Sequence, residues 1–492
     1  MHKTNLWWVS VLLLLTACQA EKPPINKKPN VLLIIADDHG YADISLQKLA
    51  KDVQTPHLDS LAQSGTFFSN AYASSPICSP SRIALLTGAY HQRQGVYWYG
   101  GPGIVEDTIP TLAEILKQEG YTTAWLGKFH YGNNDADTSH RSFPLNHGFD
   151  ELFGFHAGRK HYLIHNSAKE ADFRQKMEPT PEPKQSLKME GFFQQKERVD
   201  VEGFSTEILG ESARNFMQKH AEGEHPFFLT LSFNAVHNFT HQLPPEYLKE
   251  NGLKGYRDWN PEIEAYYDWY RQGRYPHNPE GRAHYLGQLY YLDQEIGKMT
   301  NFLEEQGLRE NTILIYIGDN GGSTPIYANN YPLKGSKYTM YEGGLRVPLI
   351  ISWPGYFPAQ KHQDQMVSAM DIAPTICEVL GVKQSIVFDG KSLKTMLTSD
   401  TAVQHHQSLF WWGNDQAAVQ SADWKYRWAS DADDSAAAHN SQFEGVDLEL
   451  GEFLYDLSKD EGEHNNMIEQ YPEVAAQLKK QLDTWKKEIF KK

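Results

Sequence analysis

The chain has 492 residues, with 46 Lys and Arg against 62 Asp and Glu, for a formal net charge of −16 at pH 7. That length accommodates one large domain and a smaller one with ample core. The acidic balance excludes a general nucleic-acid binder, whose footprint is broadly basic, and requires local cations wherever an anionic substrate is held.

Residues 1–18, MHKTNLWWVSVLLLLTAC, place Lys3 ahead of an apolar run over 6–15. The run is too short to span a bilayer comfortably, so it reads as a cleaved signal rather than a transmembrane helix. LTAC resembles a bacterial lipobox, which implies that Cys18 is lipidated and anchors the mature chain to a membrane. An ordinary secretory signal is the plainer alternative. Gln19, where an aspartate would signal retention at the inner membrane, points to the outer membrane, on its periplasmic or surface face. Residues 19–29, QAEKPPINKKP, read as a flexible tether.

A catalytic domain is expected over 30–395. VLLII at 31–35 is a continuous apolar run, as in a strand buried on both faces, and it ends in the polar turn ADDHGY. TPHLDSLAQSG reads as a helix capped by Thr55 and stopped at Gly65. SSPICSPSRIALLTG then puts Cys78 in a proline-broken turn directly ahead of an apolar helical run. TIPTLAEILKQEG is a further helix, followed by the strand YTTAWLG and the turn KFHYG. The strand FFLTLSF precedes NAVH, a long helix surrounds HYLGQLYYLDQEIGKMTNFLEEQG, and the strand TILIYIG precedes DNGG. DIAPTICEVLG places Cys377 on an apolar helical face, a core position. With Cys18 removed, two cysteines remain, too few for a disulfide framework. Strands alternating with helices argue for an α/β sheet with mostly parallel strands. From residue 396 to 492 the composition shifts to short strands and the amphipathic helix PEVAAQLKKQLDTWKKEIF, a smaller α+β domain.

Polar groups collect at the carboxyl ends of the expected strands: Asp37 and Asp38, Lys128 and His130, His237, Asp319 and Asn320. Open α/β sheets bind ligands along that edge. Asp37, Asp38, Asp319 and Asn320 offer only oxygen, which suits Ca²⁺ or Mg²⁺ rather than zinc. The plainer reading is solvated turns, since Asp-Asn-Gly is a common one. Arg82 lies one helical turn beyond Cys78, so the two can share a face. With a helix beginning near Ser79 or Pro80, Cys78 sits at its amino end, where free N–H groups and the dipole favour an anion. Such a setting activates a cysteine or gathers a tetrahedral oxyanion. PLKGSKYTMYEGGLRVP adds Lys334 and Lys337 in a Gly-rich loop ahead of Glu342 and Arg346.

These stretches together resemble the formylglycine-dependent sulfatases of the alkaline-phosphatase-like superfamily. CSPSRIALLTG is similar to the family's C-x-P-x-R…T-G signature, LGKFH to G-K-x-H, SFNAVH to N-A-P-H, and IGDNGG to S-D-N-G-G. LKGSKYTMYEGGLRVPLIISWPG resembles its lysine-bearing E-G-G-x-R-V-P segment, and the tail LYDLSKDEGEHNN is also typical. The resemblance implies a large, mostly parallel sheet between helices, with a small antiparallel sheet and a terminal helix behind it. It implies that a formylglycine-generating or anaerobic maturation enzyme oxidises Cys78 to formylglycine. It also implies Ca²⁺ held by Asp37, Asp38, Asp319 and Asn320, with the modified residue as a further ligand, and Mg²⁺ as the lesser choice. Arg82, Lys128, His130, His237 and Lys337 would surround the sulfate. One hydroxyl of the hydrated aldehyde attacks sulfur, its alkoxide generated by Asp319 or the cation. His237, with Lys337 nearby, protonates the leaving oxygen, and His130 takes the proton that releases sulfate. Val236 stands where the family usually has proline, and Ser336 and Tyr338 where glycines are frequent.

Substrate identity must come from outside that pocket. GRKHYLIHN carries Arg159, Lys160, His161 and His165, and residues 255–282 are rich in Tyr, Trp and Arg. They suit a sulfated carbohydrate such as carrageenan, ulvan or a glycosaminoglycan, although packing between sheet and helices is the plainer role for the aromatics. Asn238-Phe-Thr240 matches a glycosylation sequon, which the lipobox discounts. An arylsulfatase for small esters, a phosphoester or phosphonate hydrolase, and a non-catalytic glycan-binding lipoprotein are the alternatives.

Overall fold

The computed structural model describes residues 28–489, apart from 106–107, 134–135, 157–160, 165–191, 256, 258–259, 261, 384–386, 400–403, 414 and 431–447. The signal segment with Cys18, and Arg159, Lys160 and His165, therefore lie outside the described residues. Among the described residues no helix is long and apolar enough to cross a membrane.

Ten strands form one sheet: β1 (Asn30–Ala36), β2 (Thr66–Phe68), β3 (Thr122–Lys128), β4 (Glu151–Phe155), β5 (Phe192–Gln194), β6 (Glu197–Val199), β7 (Phe227–Ser232), β8 (Thr312–Gly318), β9 (Leu349–Ser352) and β10 (Lys361–Gln363). Their order is β10-β2-β9-β8-β1-β7-β3-β4-β5-β6. The central run from β8 through β1, β7 and β3 to β4 is parallel, with antiparallel pairs on both flanks. This is the mostly parallel α/β sheet that the alternating pattern predicts.

Eight helices matter here: α1 (Pro56–Gln63), α2 (Cys78–Thr87), α3 (Leu112–Gln118), α4 (Ser205–His220), α5 (Tyr266–Gln272), α6 (Gly281–Glu305), α7 (Ile372–Leu380) and α8 (Pro472–Glu488). Strand side chains alternate between faces, so Leu32, Ile34 and Ala36 of β1 meet α1, α4 and α6, whereas Val31, Leu33 and Ile35 meet α2, α3 and α7. Both faces are covered, which is why β1 and β8 read as unbroken apolar runs. Cys377 sits in the second of these cores, on α7. Thr111 caps α3 through a complete capping box with Glu114. Thr55 precedes α1 as expected, but its hydroxyl bonds Asp59 Oδ1 and Ser45 instead of a helix N–H.

A second sheet follows, antiparallel throughout: β11 (Ser408–Trp412), β12 (Gln416–Ser421), β13 (Trp424–Ala429) and β14 (Gly451–Asp456). One face packs Val419, Tyr426 and Leu454 against Leu478 and Leu482 of α8. The other packs Leu409, Trp411 and Ala418 against Tyr72, Met340 and Leu345 of the main body. Buried charges cross the same junction. Lys425 Nζ lies 2.8 Å from Glu342 and 3.1 Å from Glu463, and Arg346 reaches Glu342 at 3.0 Å. Glu342 and Arg346 are thus structural.

Asp371, at the head of α7, ties the linker between the sheets in place. Its carboxylate accepts from the Ser368 and Lys391 backbone N–H groups at 2.8 and 2.7 Å, and from His405 and His406 Nε2 at 3.2 and 2.9 Å. Burial pushes its pKa up, but the two histidine hydrogen bonds outweigh burial and bring it from 3.8 down to about 2. A depressed carboxyl stabilises the fold above its unfolded pKa and loses that contribution as pH falls through the folded one. Asp371→Asn should therefore lower stability by on the order of 2 kcal/mol near neutrality, with the gap to wild type narrowing between about pH 4 and about pH 2. Urea unfolding across that range checks it, and a gap independent of pH contradicts it.

Candidate active site

The sheet order brings the polar strand ends together. β8, β1, β7 and β3 are consecutive neighbours, so Asp319 and Asn320, Asp37 and Asp38, His237, and Lys128 and His130 emerge side by side on one edge. Gly127 makes the closest strand approach there. It has φ 97, and a Cβ would lie 1.9 Å from the Ser232 carbonyl oxygen, so no other residue fits.

α2 points its amino end into this edge, with Cys78 as its first residue and Pro80 tolerated within the first turn. Cys78 Sγ lies 3.2 Å from His130 Nδ1. One turn on, Arg82 is fully buried; its Nε and Nη2 donate to Asp319 Oδ2 at 3.0 and 2.7 Å. Its Nη1 donates to the Lys128 carbonyl at 3.1 Å and to Ser232 Oγ at 2.5 Å. Lys128 Nζ reaches Asp37 Oδ2 at 2.5 Å, and Lys337 Nζ reaches Asp38 Oδ1 at 2.7 Å. His237 Nε2 lies 3.5 Å from Asp38 Oδ2. Asn320 donates from Nδ2 to Asp38 Oδ1 at 2.7 Å, and the Asp38 N–H donates to Asp319 Oδ1 at 3.2 Å.

Asp37, Asp38, Cys78, Arg82, Lys128, His130, His237, Asp319, Asn320 and Lys337 all fall in this cluster. Lys334 does not: it pairs with Glu449 at 2.6 Å outside it. Tyr338 takes φ 75, the left-handed conformation glycine would suit, and carries its ring 5.5 Å from Lys337 Nζ. Ahead of His237, the Ala235–Val236 peptide bond is cis. Sequence reasoning missed Ser232 and Tyr162, whose hydroxyl donates to the Asn234 carbonyl at 2.8 Å and to that of His237 at 3.1 Å. Asn238, noted only as a discounted sequon, is buried against His237, which also keeps it from serving as a glycosylation acceptor. Trp269 and Tyr270 of the aromatic segment are buried too, as the packing role required.

Desolvation sets the electrostatics. Burial raises Asp37 to about 7 and Asp38 above the usual carboxylate range. It pushes Asp319 up as well, but Arg82, Lys128 and Lys337 outweigh it and hold that group below its ordinary value. Burial would lower Lys337; Asp38 and the other anions keep it well above a normal lysine. The Cys78 thiol is pushed up by burial, so the helix end does not favour a free thiolate.

A cation fits the donor set. Asp37 Oδ1 and Asn320 Oδ1 are buried without a hydrogen-bond partner among the described residues. Arg82 Nη2 stands 3.9 Å from Asp37 Oδ1, beyond hydrogen-bond reach. Two unpaired oxygens, beside carboxyls that burial forces upward, are what a hard, oxygen-seeking ion satisfies. Ligand atoms of Asp37, Cys78 and Asp319 lie within 4.8 Å of one another, as do those of Asp37, Asp38 and His237.

A mostly parallel sheet with an acidic, cation-ringed cluster at its carboxyl edge defines a hydrolase of the alkaline-phosphatase-like class. The chain belongs to the sulfatase family. The Sulfatase model matches residues 29–382, and the model for the C-terminal part of N-sulphoglucosamine sulphohydrolase matches 335–488. It is a sulfuric ester hydrolase. A sulfatase of Formosa agariphila is 28% identical over 96% of this chain and 91% of its own length. An N-acetylgalactosamine-6-O-sulfatase of Bacteroides thetaiotaomicron is 29% identical over 96% of this chain and 97% of its own. The crystal structure of Ps i-CgsB in complex with k-i-k-neocarrahexaose superposes with a TM-score of 0.75 at 27% identity, covering 93% of each chain.

Arg82→Lys keeps the charge and loses the fork, so it should cost about 2 kcal/mol of stability, whereas Ser232→Ala should cost about 1 kcal/mol. Equal urea midpoints for wild type and Arg82→Lys would show that the fork is dispensable.

Proposed function

We propose that the chain removes sulfate esters from a sulfated carbohydrate, using formylglycine made from Cys78 and a Ca²⁺ ion held by Asp37, Asp38, Asp319 and Asn320. The observation that carries this reading is the position of Cys78. It is buried at a helix amino end, 3.2 Å from His130, in one cluster with Arg82, Lys128 and Lys337.

Formylglycine at position 78 would supply, as an aldehyde hydrate, one hydroxyl to attack sulfur and a second whose deprotonation would free sulfate, and Ca²⁺ would supply charge to favour the alkoxide. The remaining chemistry belongs to the chain. Lys128 and Lys337 present point charges, and Arg82 a fork anchored on Asp319, to offset charge developing on the sulfuryl oxygens. His237 Nε2, beside Asp38, holds the proton for the departing alcohol oxygen. His130 Nδ1, facing position 78, accepts the proton whose loss releases sulfate.

The substrates that the relatives are named for support the carbohydrate class. One acts on N-acetylgalactosamine 6-sulfate groups, and the structural neighbour binds a carrageenan hexasaccharide. Both sugars are galacto-configured, so a sulfated galactan such as carrageenan, or a galactosaminoglycan, is the substrate proposed. We also propose export as an outer-membrane lipoprotein anchored through Cys18, on the lipobox at 15–18 alone.

In natively matured protein, the peptide containing residue 78 should carry an aldehyde by mass, and Cys78→Ala should lower sulfate release at least about a thousandfold. Chelation should abolish turnover and Ca²⁺ restore it. A retained thiol, or activity indifferent to chelation, would sink the reading and leave a glycan binder or another hydrolase. In His130→Ala, about one equivalent of alcohol should appear in a burst before turnover stalls. Steady release without a burst would remove His130 from that role.

A further inference from the structure

We propose that Asn238, fixed by Tyr270, is a positioning residue for His237. The inference rests on the reading of His237 as proton donor to the leaving oxygen.

Asn238 follows His237 and is buried. Its Nδ2 lies 3.0 Å from Nδ1 and 3.1 Å from Nε2 of the imidazole. The lone pair or N–H of each ring nitrogen points outward in the ring plane, in a different direction from the other. A donor equally close to both cannot sit on either axis without colliding with the carbon between them. The amide therefore lies across the ring face, where it sets the plane of the imidazole and leaves both nitrogens for other partners.

Tyr270 decides which way that amide faces. Its hydroxyl donates to Asn238 Oδ1 at 2.7 Å, which turns the NH₂ toward His237. Tyr270 is itself 1% exposed and meets Phe239 edge-on, with ring centroids 5.5 Å apart. Asp38 Oδ2 stands 3.5 Å from Nε2 of the same ring. The ring is thus in contact with both a carboxylate and an oriented amide, with the Tyr162 hydroxyl holding the His237 carbonyl at 3.1 Å.

These contacts also reach the segments singled out for substrate contact. Tyr270 and Trp269 share α5, and Trp269 stacks on His161 at 5.8 Å with the planes 7° apart. His161 in turn pairs with Gln242 at 2.7 Å, on the chain just after Asn238. His161 and α5 thus meet on the chain segment that follows His237.

A series of ring-substituted phenyl sulfates tests this, because a poor leaving group needs the proton more than a good one does. His237→Ala should give a steep dependence on leaving-group pKa; a flat series there would sink the acid reading itself, and this proposal with it. Given that steepness, Asn238→Ala and Tyr270→Phe should each lose about tenfold in kcat/KM on phenyl sulfate and no more than about twofold on 4-nitrophenyl sulfate. Added to His237→Ala, Asn238→Ala should change nothing further. Equal losses across the series, no loss anywhere, or additive losses in the double variant would each overturn the positioning role. Tyr270→Phe removes a single hydroxyl, so it guards against an Asn238 variant that fails to fold.

Discussion

Three carboxylates and three cations share one water-poor edge of this sheet: Asp37, Asp38 and Asp319 against Arg82, Lys128 and Lys337. Removing any of these charges from water is costly, and each is tolerable only because a partner stands within hydrogen-bond reach. The formal balance of the set is zero. A divalent cation and a sulfate ester monoanion bring charges of opposite sign to it, so each arrival makes the site more hospitable to the other. Asp37 Oδ1 and Asn320 Oδ1, buried and unpaired, mark where the set is incomplete by hydrogen bonding alone. The fold around them serves to hold six ionic groups at distances that keep all of them buried.

Much of that set was legible because charge clusters at strand ends survive as short motifs. ADD, GKFH, NAVH and GDNGG each follow an apolar run whose pattern marks a strand. What the sequence could not display was adjacency. β1 and β8 pair residue for residue from Asn30 with Thr312 to Ala36 with Gly318, across some of the longest separations in the chain. Nothing in the local pattern of either strand dictates that neighbour. The site roles of Ser232 and Asn238 went unseen for a related reason. Ser232 ends β7 and Asn238 lies in the loop after it; neither residue type signals a site role by itself, and the roles come from the Arg82 guanidinium of α2 and from the neighbouring His237 imidazole. Thr55 shows the converse error: a sound local rule for the capping position was overridden by Asp59 and Ser45, which supply better partners for its hydroxyl.

The second sheet is more than an appendage. Gln416 on β12 donates to the Tyr338 carbonyl at 2.8 Å and accepts from the Met340 N–H at 3.1 Å, while the Tyr338 N–H donates to the Pro76 carbonyl at 2.9 Å. The loop bearing Lys337 is therefore stitched between the turn before Cys78 and a strand of the small sheet. Loops left to themselves are mobile, and a cation on a mobile loop aims poorly. The buried Lys425–Glu342–Arg346 chain at the same junction fixes the short helix that follows the loop. Amino-acid patterning alone separates the two sheets, yet the geometry of Lys337 depends on both.

The global charge of −16 adds a last constraint. An anionic polymer approaching the protein meets net repulsion at long range, but at physiological ionic strength that field decays over about 8 Å. Inside the buried cluster the decay no longer operates, because the groups are dry and the interactions are those of contact. Arg82, Lys128 and Lys337 can thus dominate the energetics of a sulfate group without a basic exterior.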